Sequence, residues 1–400
     1  MDTLLRRSAA VALPLAALVA GIACAGAPEA ELDFADWILP VAEGTPVREY
    51  APVARHERDP QAIVLEEDLV IGGDAASMFY APPQIAVADD GRIYVLDRED
   101  ASVSVFSAEG ERLLEFGREG QGPGEMEAGR GITIAGEHVL VADGLGRTRI
   151  LVFTLDGEPV ASHQTGRNFG LHFHGLPDGT FVESTGVSAE DRSRRRVAGR
   201  YTRAGEELVG YFDLDGTPPR ELPTTRDRSA LMASTIRSTI LSSVVRPVVV
   251  NTDGERVYAT LGDEYQVLAM DLDGAPLWAL RVAWPRPPYR AAFKEMHRER
   301  AARYEIDPDT LEFPPLDPAV LTANVDGHGR LFVYPNVGDQ PPDEGYSPID
   351  VYSPEGDLIA AGMGPAGWIT AQGDHVYGWR HDEETDNWYV VRSRLTVNRR

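Results

Sequence analysis

Two short stretches of this 400-residue chain bring metal-binding and proton-handling side chains close together. His172 and His174 alternate in LHFHG, so an extended backbone puts both imidazoles on one face. Asn324, Asp326 and His328 follow the same spacing in LTANVDGHG and offer an amide, a carboxylate and an imidazole. Zinc asks for three or four nitrogen, sulfur or carboxylate ligands, and calcium for six or more oxygens. Neither stretch supplies a full set, and no two histidines stand three or four apart. Calcium or zinc at His172, His174, Asn324 and Asp326 would therefore need distant segments to meet in space. The plainer account is that these groups satisfy hydrogen bonds around water, and no cofactor is expected.

A second candidate is the glycine-rich run GREGQGPGEM, Gly117 to Met126. A phosphate cradle needs a preceding strand and a helix opening within the loop, so that helix amides face the phosphate. Here Pro123 interrupts the glycines, no Lys-Ser or Lys-Thr pair follows, and GRGITIAGEHVLVADG reads as strand, turn, strand. The run is thus expected to be a crossover between structural units, with Glu125 accepting hydrogen bonds from its exposed amides. Nucleophilic catalysis finds no support either. Cys24 is the only cysteine, no G-x-S-x-G elbow occurs, and no catalytic residue is assigned. DLDG at Asp213–Gly216 and Asp271–Gly274 lacks the glutamate that completes a calcium loop, so it reads as hairpin chemistry.

A formal charge of −25 offers no basic excess to replace phosphate counterions, which argues against a nucleic-acid partner. MDTLLRR followed by SAAVALPLAALVAGIA has the charged start and short apolar run of a secretion signal over 1–23. GIAC resembles a lipobox, although Gly21 and Ile22 replace the usual residues; cleavage after Ala25 is the alternative. With the sole cysteine standing where acylation needs it, lipidation at Cys24 is favoured. It would be the chain's one hold on a membrane, at the periplasmic face of the outer membrane or at the cell surface. Residues 24–60, acidic and dotted with proline, read as a tether.

The elements that must position any site emerge from internal repetition. PPQIAVADDGRIYVLDREDASVSVFSAEGERLLEFG divides into four apolar runs separated by turns, and the pattern recurs from Gly131 to Gly166. Looser copies begin at LHFHGLPDGTFVES, PVVVNTDGERVYATLG, LTANVDGHGRLFVY and WITAQGDHVYGW. Four short antiparallel strands per unit, repeated around an axis, describe propeller blades. The sixth copy has only three strands. AIVLEEDLVIGG, Ala62–Gly73, can supply the fourth and leave no open edge. The expectation is an all-β, six-bladed β-propeller over 61–398, closed by an N-terminal strand. Insertions are expected at 217–244 and 285–318, the second a short helix through Tyr289, Phe293, Met296 and Tyr304.

IYVLDREDASVSVFSAEGERLLEFG resembles the NHL-type blade, and GREGQGPGEM is similar to the crossover of exported bacterial six-bladed propeller proteins, many of them lipoproteins. The resemblance implies architecture rather than chemistry. Broader relatives include binding modules and metal-dependent lyases and lactonases. A lipid-anchored module binding a protein, peptide or glycan is the leading expectation, and a metal-dependent lyase or lactonase-like enzyme at the channel mouth is the alternative. Gln84, Arg130, His172, Asn324 and Asp326 precede or lie on inner strands and are expected to line the channel, where they would orient a small polar ligand.

Overall fold

The computed structural model describes residues 41–73, 78–144, 149–165, 173–183, 196–213, 249–261, 264–338, 346–365 and 368–398. Six sheets form a closed ring, and the two earliest strands are both donated to late blades. β1 (Val47–Tyr50) joins blade four and β2 (Ile63–Ile71) joins blade six. Blade one is β3 (Gln84–Val87), β4 (Ile93–Asp97), β5 (Ser102–Phe106) and β6 (Arg112–Phe116). Blade two is β7 (Gly129–Ala135), β8 (His138–Asp143), β9 (Arg149–Thr154) and β10 (Pro159–Gln164). Blade three is β11 (Phe173–Gly175), β12 (Phe181–Glu183), β13 (Arg196–Tyr201) and β14 (Glu207–Asp213). Blade four is β15 (Val249–Thr252), β16 (Arg256–Leu261), β17 (Tyr265–Asp271) and β18 (Pro276–Val282). Blade five is β19 (Val320–Val325), β20 (Leu331–Pro335), β21 (Tyr346–Tyr352) and β22 (Leu358–Pro365). β23 (Thr370–Gln372), β24 (His375–Asp382) and β25 (Asn387–Val397) make up blade six with β2.

Middle strands are covered on both faces by neighbouring blades, which is why β4 and β5 are buried along their whole length and read as near-continuous apolar runs. Outer strands meet water and alternate or turn polar, as in RLLEF and PVASHQ. One apolar cluster fills each gap between blades, so the core is six wedges around an axis. Tyrosines seal the wedges. Tyr94 of blade one donates to the Leu155 carbonyl of blade two at 2.8 Å, so its hydroxyl is satisfied although the ring is fully buried.

β2 pairs antiparallel with β25 from Ile63↔Val397 to Ile71↔Val390, closing the ring as the sequence suggested. The segment ahead of it departs from the tether expected over 24–60. β1 runs parallel to β18, as a fifth strand on blade four. The chain then enters the ring at Arg58, whose side chain is wholly buried between blades four and five. Its Nη1 donates to Asp350 Oδ1 at 2.7 Å and to the Ile349 carbonyl at 3.1 Å. Tyr265 donates its hydroxyl to Asp350 Oδ2 at 2.9 Å and lies 3.0 Å from the Tyr352 hydroxyl. A backbone bridge from Asp59 to Gly362 follows. One segment therefore ties blade four to blade five before closing blade six. A four-residue strand with no hairpin partner leaves no period to read, so this strap was hidden in the sequence. Phe34, Trp37 and Leu39, apolar residues with the means to dock, lie outside the described residues, as do Cys24 and the signal segment.

The second insertion contains helix α1 (Ala291–Arg303), as expected, but with a different buried face. His297 and Ala301 are buried, whereas Met296 is 37% exposed. The helix docks on the insertion's own Leu311, Phe313 and Ile306, and its seam follows the i, i+4 line through Phe293 and His297 rather than the line through Met296. Burial and the nearby Arg300 hold the His297 imidazole below its ordinary pKa, so it packs as a neutral ring. Arg290 Nε pairs with the buried Asp317 at 2.7 Å and clasps the two ends of the insertion together. The insertion at 217–244 lies outside the described residues. No described helix is long and apolar enough to cross a membrane.

Candidate ligand site at the channel mouth

Inner strands β3, β7, β11, β15, β19 and β23 surround the axis, and each is entered from the same end. Cross-strand pairs Gln84↔Leu96 and Gly129↔Asp143 place the second strands' ends there too. The glycine-rich crossover and the 285–318 insertion connect blades at this end, so it forms the mouth. At the far end, neighbouring turns close up. A Cβ on Gly175 would collide with the Ile134 carbonyl, and one on Gly327 with the Gly373 backbone. Gln372 Nε2 reaches Asp89 of the next blade at 3.1 Å.

Arg130 occupies the outermost level. Gly129 pairs with Asp143 and Gly131 with Ala142, leaving Arg130 as the extra residue of a β-bulge. A bulge removes its residue from ladder alternation and re-aims the side chain. Gly129 makes this possible, since a Cβ there would lie 2.8 Å from Leu96 Cδ1 of blade one. Arg130 is half-buried and makes no hydrogen bond or ion pair among the described residues. Burial and the like charge of Arg98 lower its pKa, and Glu183 opposes them. Arg98 stands on blade one and Glu183 on blade three. Arg130 thus starts the innermost strand of blade two, with blades one and three on either side.

Gln84 opens β3, half-buried, with no hydrogen bond among the described residues. Asn324 sits farther down the channel, where its Nδ2 donates to the Trp368 carbonyl of blade six at 2.8 Å. Its Oδ1 and the indole Nε1 of Trp368 are both buried without a partner. Two unanswered groups, one acceptor and one donor, thus face the joint between blades five and six. Asp326 differs from expectation. It lies beyond β19 in the far-end turn, where its carboxylate accepts from His328 N at 3.0 Å, Arg330 N at 2.9 Å and Arg330 Nε at 2.6 Å. At about 3.3 Å per residue, the six-residue β19 separates that turn from the mouth by roughly 20 Å. Asp326 is a turn residue and does not join Arg130. His174 is half-buried in the middle of β11, and His172 lies outside the described residues. Among the described residues, no three His, Cys, Asp or Glu side chains gather closely enough to hold a metal ion.

The crossover Gly117–Met126 answers its own amides. Glu125 accepts from the Gly122 N–H at 2.8 Å and from Arg118 Nε at 2.9 Å, and those bonds hold its carboxyl below the usual range. Gly120, at φ +149°, must be glycine because a Cβ would run into the Glu125 carboxylate. The would-be anion nest is filled by the protein itself. Beneath it, the buried Asp143 accepts from Glu127 N, Ala128 N and Arg149 Nε, and Arg149 donates on to the Gly120 and Glu125 carbonyls at 3.0 and 2.9 Å. In blade one, Asp97 at the same strand end caps Glu99 N at 2.9 Å. The aspartate that ends the second strand of blades one and two is thus a structural acceptor.

Residues 78–181 match the sequence profile of DUF5128, a family described as a 6-bladed beta-propeller. Among solved structures, an exported protein from Bacteroides fragilis is 11% identical, with 88% of this chain and 99% of that one covered at a TM-score of 0.50. A DUF4221 family member from Bacteroides vulgatus is 12% identical, covering 86% of this chain and all of that one at a TM-score of 0.52. No curated protein matches the sequence. The likenesses establish the class: a six-bladed β-propeller.

Proposed function

We propose that this protein is an exported, lipid-anchored binding module whose ligand, part of a protein, peptide or glycan, enters the channel mouth. The observation that carries the reading is a pair of polar side chains at that mouth, Arg130 on its bulge and Gln84, that have no partner among the described residues. Buried polar groups in native proteins are almost always answered, so these positions await water or a ligand. Insertions on a repeat scaffold commonly build the binding face, and α1 stands at the same end. Acylation at Cys24 and export rest on the N-terminal sequence.

Gln84→Ala/Arg130→Ala is the direct test, because neither side chain makes a hydrogen bond that the fold needs. Native mass spectrometry of protein recovered gently from its own envelope is expected to show a bound species on the wild type and its loss from the double variant. Equal adducts on two correctly folded proteins would place binding elsewhere.

A further inference from the structure

We infer that the mouth holds a subsite for a monoanionic carboxylate, gripped by Arg130 with Arg98 beside it. The inference rests on the mouth being the binding surface and names what binds there. Arg130 projects from a bulge flanked by Gly129 and Gly131, a local backbone arrangement that serves no pairing in the ladder. Leu96 links the two cations. It contacts the Gly129 position of blade two, pairs with Gln84 of blade one, and stands two residues before Arg98. Arg98 is exposed and has no hydrogen bond or ion pair among the described residues.

Several arginines elsewhere in the ring are paired with carboxylates. Arg58, Arg92, Arg149, Arg256 and Arg330 each have a carboxylate within 2.9 Å. In a chain of net charge −25, Arg130 and Arg98 are two guanidiniums at the mouth without a carboxylate partner among the described residues. The forked, planar guanidinium of Arg130 matches a planar carboxylate, and Glu183 on the neighbouring blade disfavours a more highly charged dianion. Arg offers a forked pair of N–H donors to such a group, and Gln84 can meet a neighbouring hydroxyl or amide.

The carboxylate can belong to a uronic acid or to a peptide C-terminus, and matched probes separate them. Titration calorimetry would compare galacturonate with galactose, and acetyl-Ala-Ala bearing a free C-terminus with its amide. One acidic member is expected to bind wild-type protein at least tenfold tighter than its neutral twin, and the arm that responds identifies the source. Arg130→Gln is expected to abolish that preference, Arg130→Lys to keep part of it and Arg98→Gln to weaken it severalfold. Unchanged circular dichroism melts would confirm intact folds. If acidic and neutral members bind alike, and Arg130→Gln binds them as the wild type does, the carboxylate subsite is refuted while a neutral-ligand mouth survives. If no probe binds the wild type, the subsite is refuted as well.

Discussion

Asp350→Ala is expected to cost about 3–5 kcal/mol of stability, the usual penalty for removing one partner of a buried ion pair. Arg58 and Asp350 are 0% and 3% exposed, so truncation leaves a guanidinium with no counter-charge between blades four and five. The same change strips the acceptor from the buried Tyr265 hydroxyl. With an unfolding entropy near 2.1 cal/mol/K per residue, a ring of roughly 350 residues should melt about 4–7 °C lower. Arg58→Met/Asp350→Leu should recover most of the loss, because an apolar pair of similar volume restores packing without desolvated charge. Calorimetric melts of the single and double variants measure this directly. A single variant within 1 °C of wild type would mean that the strap carries little of the joint.

Deleting Ala62–Gly73 should have the larger effect. β25 spans eleven residues and would expose its whole hydrogen-bonding edge, a template for pairing with other chains. Ile63 and Ile71 leave two different wedges, those between blades five and six and between six and one. Each buried isoleucine contributes about 1.5–3 kcal/mol. The ring would lose closure, a paired edge and two core anchors together. The expected result is loss of the single cooperative melt, with concentration-dependent oligomers in sedimentation. A synthetic peptide of residues 61–73 added in trans should restore a monomeric ring by strand addition. A monomeric deletion variant with an unaltered melt would contradict closure by β2.

Blade architecture was legible because its signals are local. Asp-Gly and Glu-Gly turns recur between apolar runs, and the missing fourth strand of the last copy pointed to its complement near the N-terminus. Glu125's service to the crossover amides was likewise readable, lying three residues from the Gly122 N–H it accepts. The strap was not legible. Arg58 meets Asp350 across almost 300 positions, and nothing in ARHERD marks one arginine for burial. Position along the axis was also hidden. Alternation tells which face a strand residue takes, but not its height in a ring whose inner strands run from three to seven residues. Asp326 was therefore grouped with Arg130 although it closes a turn at the far end. The Arg130 bulge did leave a trace, the flanking glycines of Gly129-Arg130-Gly131, since only glycine tolerates Leu96 so close.

The binding role of the mouth is tested most directly by contact mapping in the native envelope. A photoreactive phenylalanine analogue would be placed in turn at the exposed Glu99 and Glu127 beside the mouth, and at Leu113 and Val160 on outer strands, which are 50% and 52% exposed. After irradiation, covalent adducts are predicted at the two mouth positions and not at the outer ones. Adducts confined to Leu113 and Val160 would contradict the account and move the interaction surface to the rim of the ring.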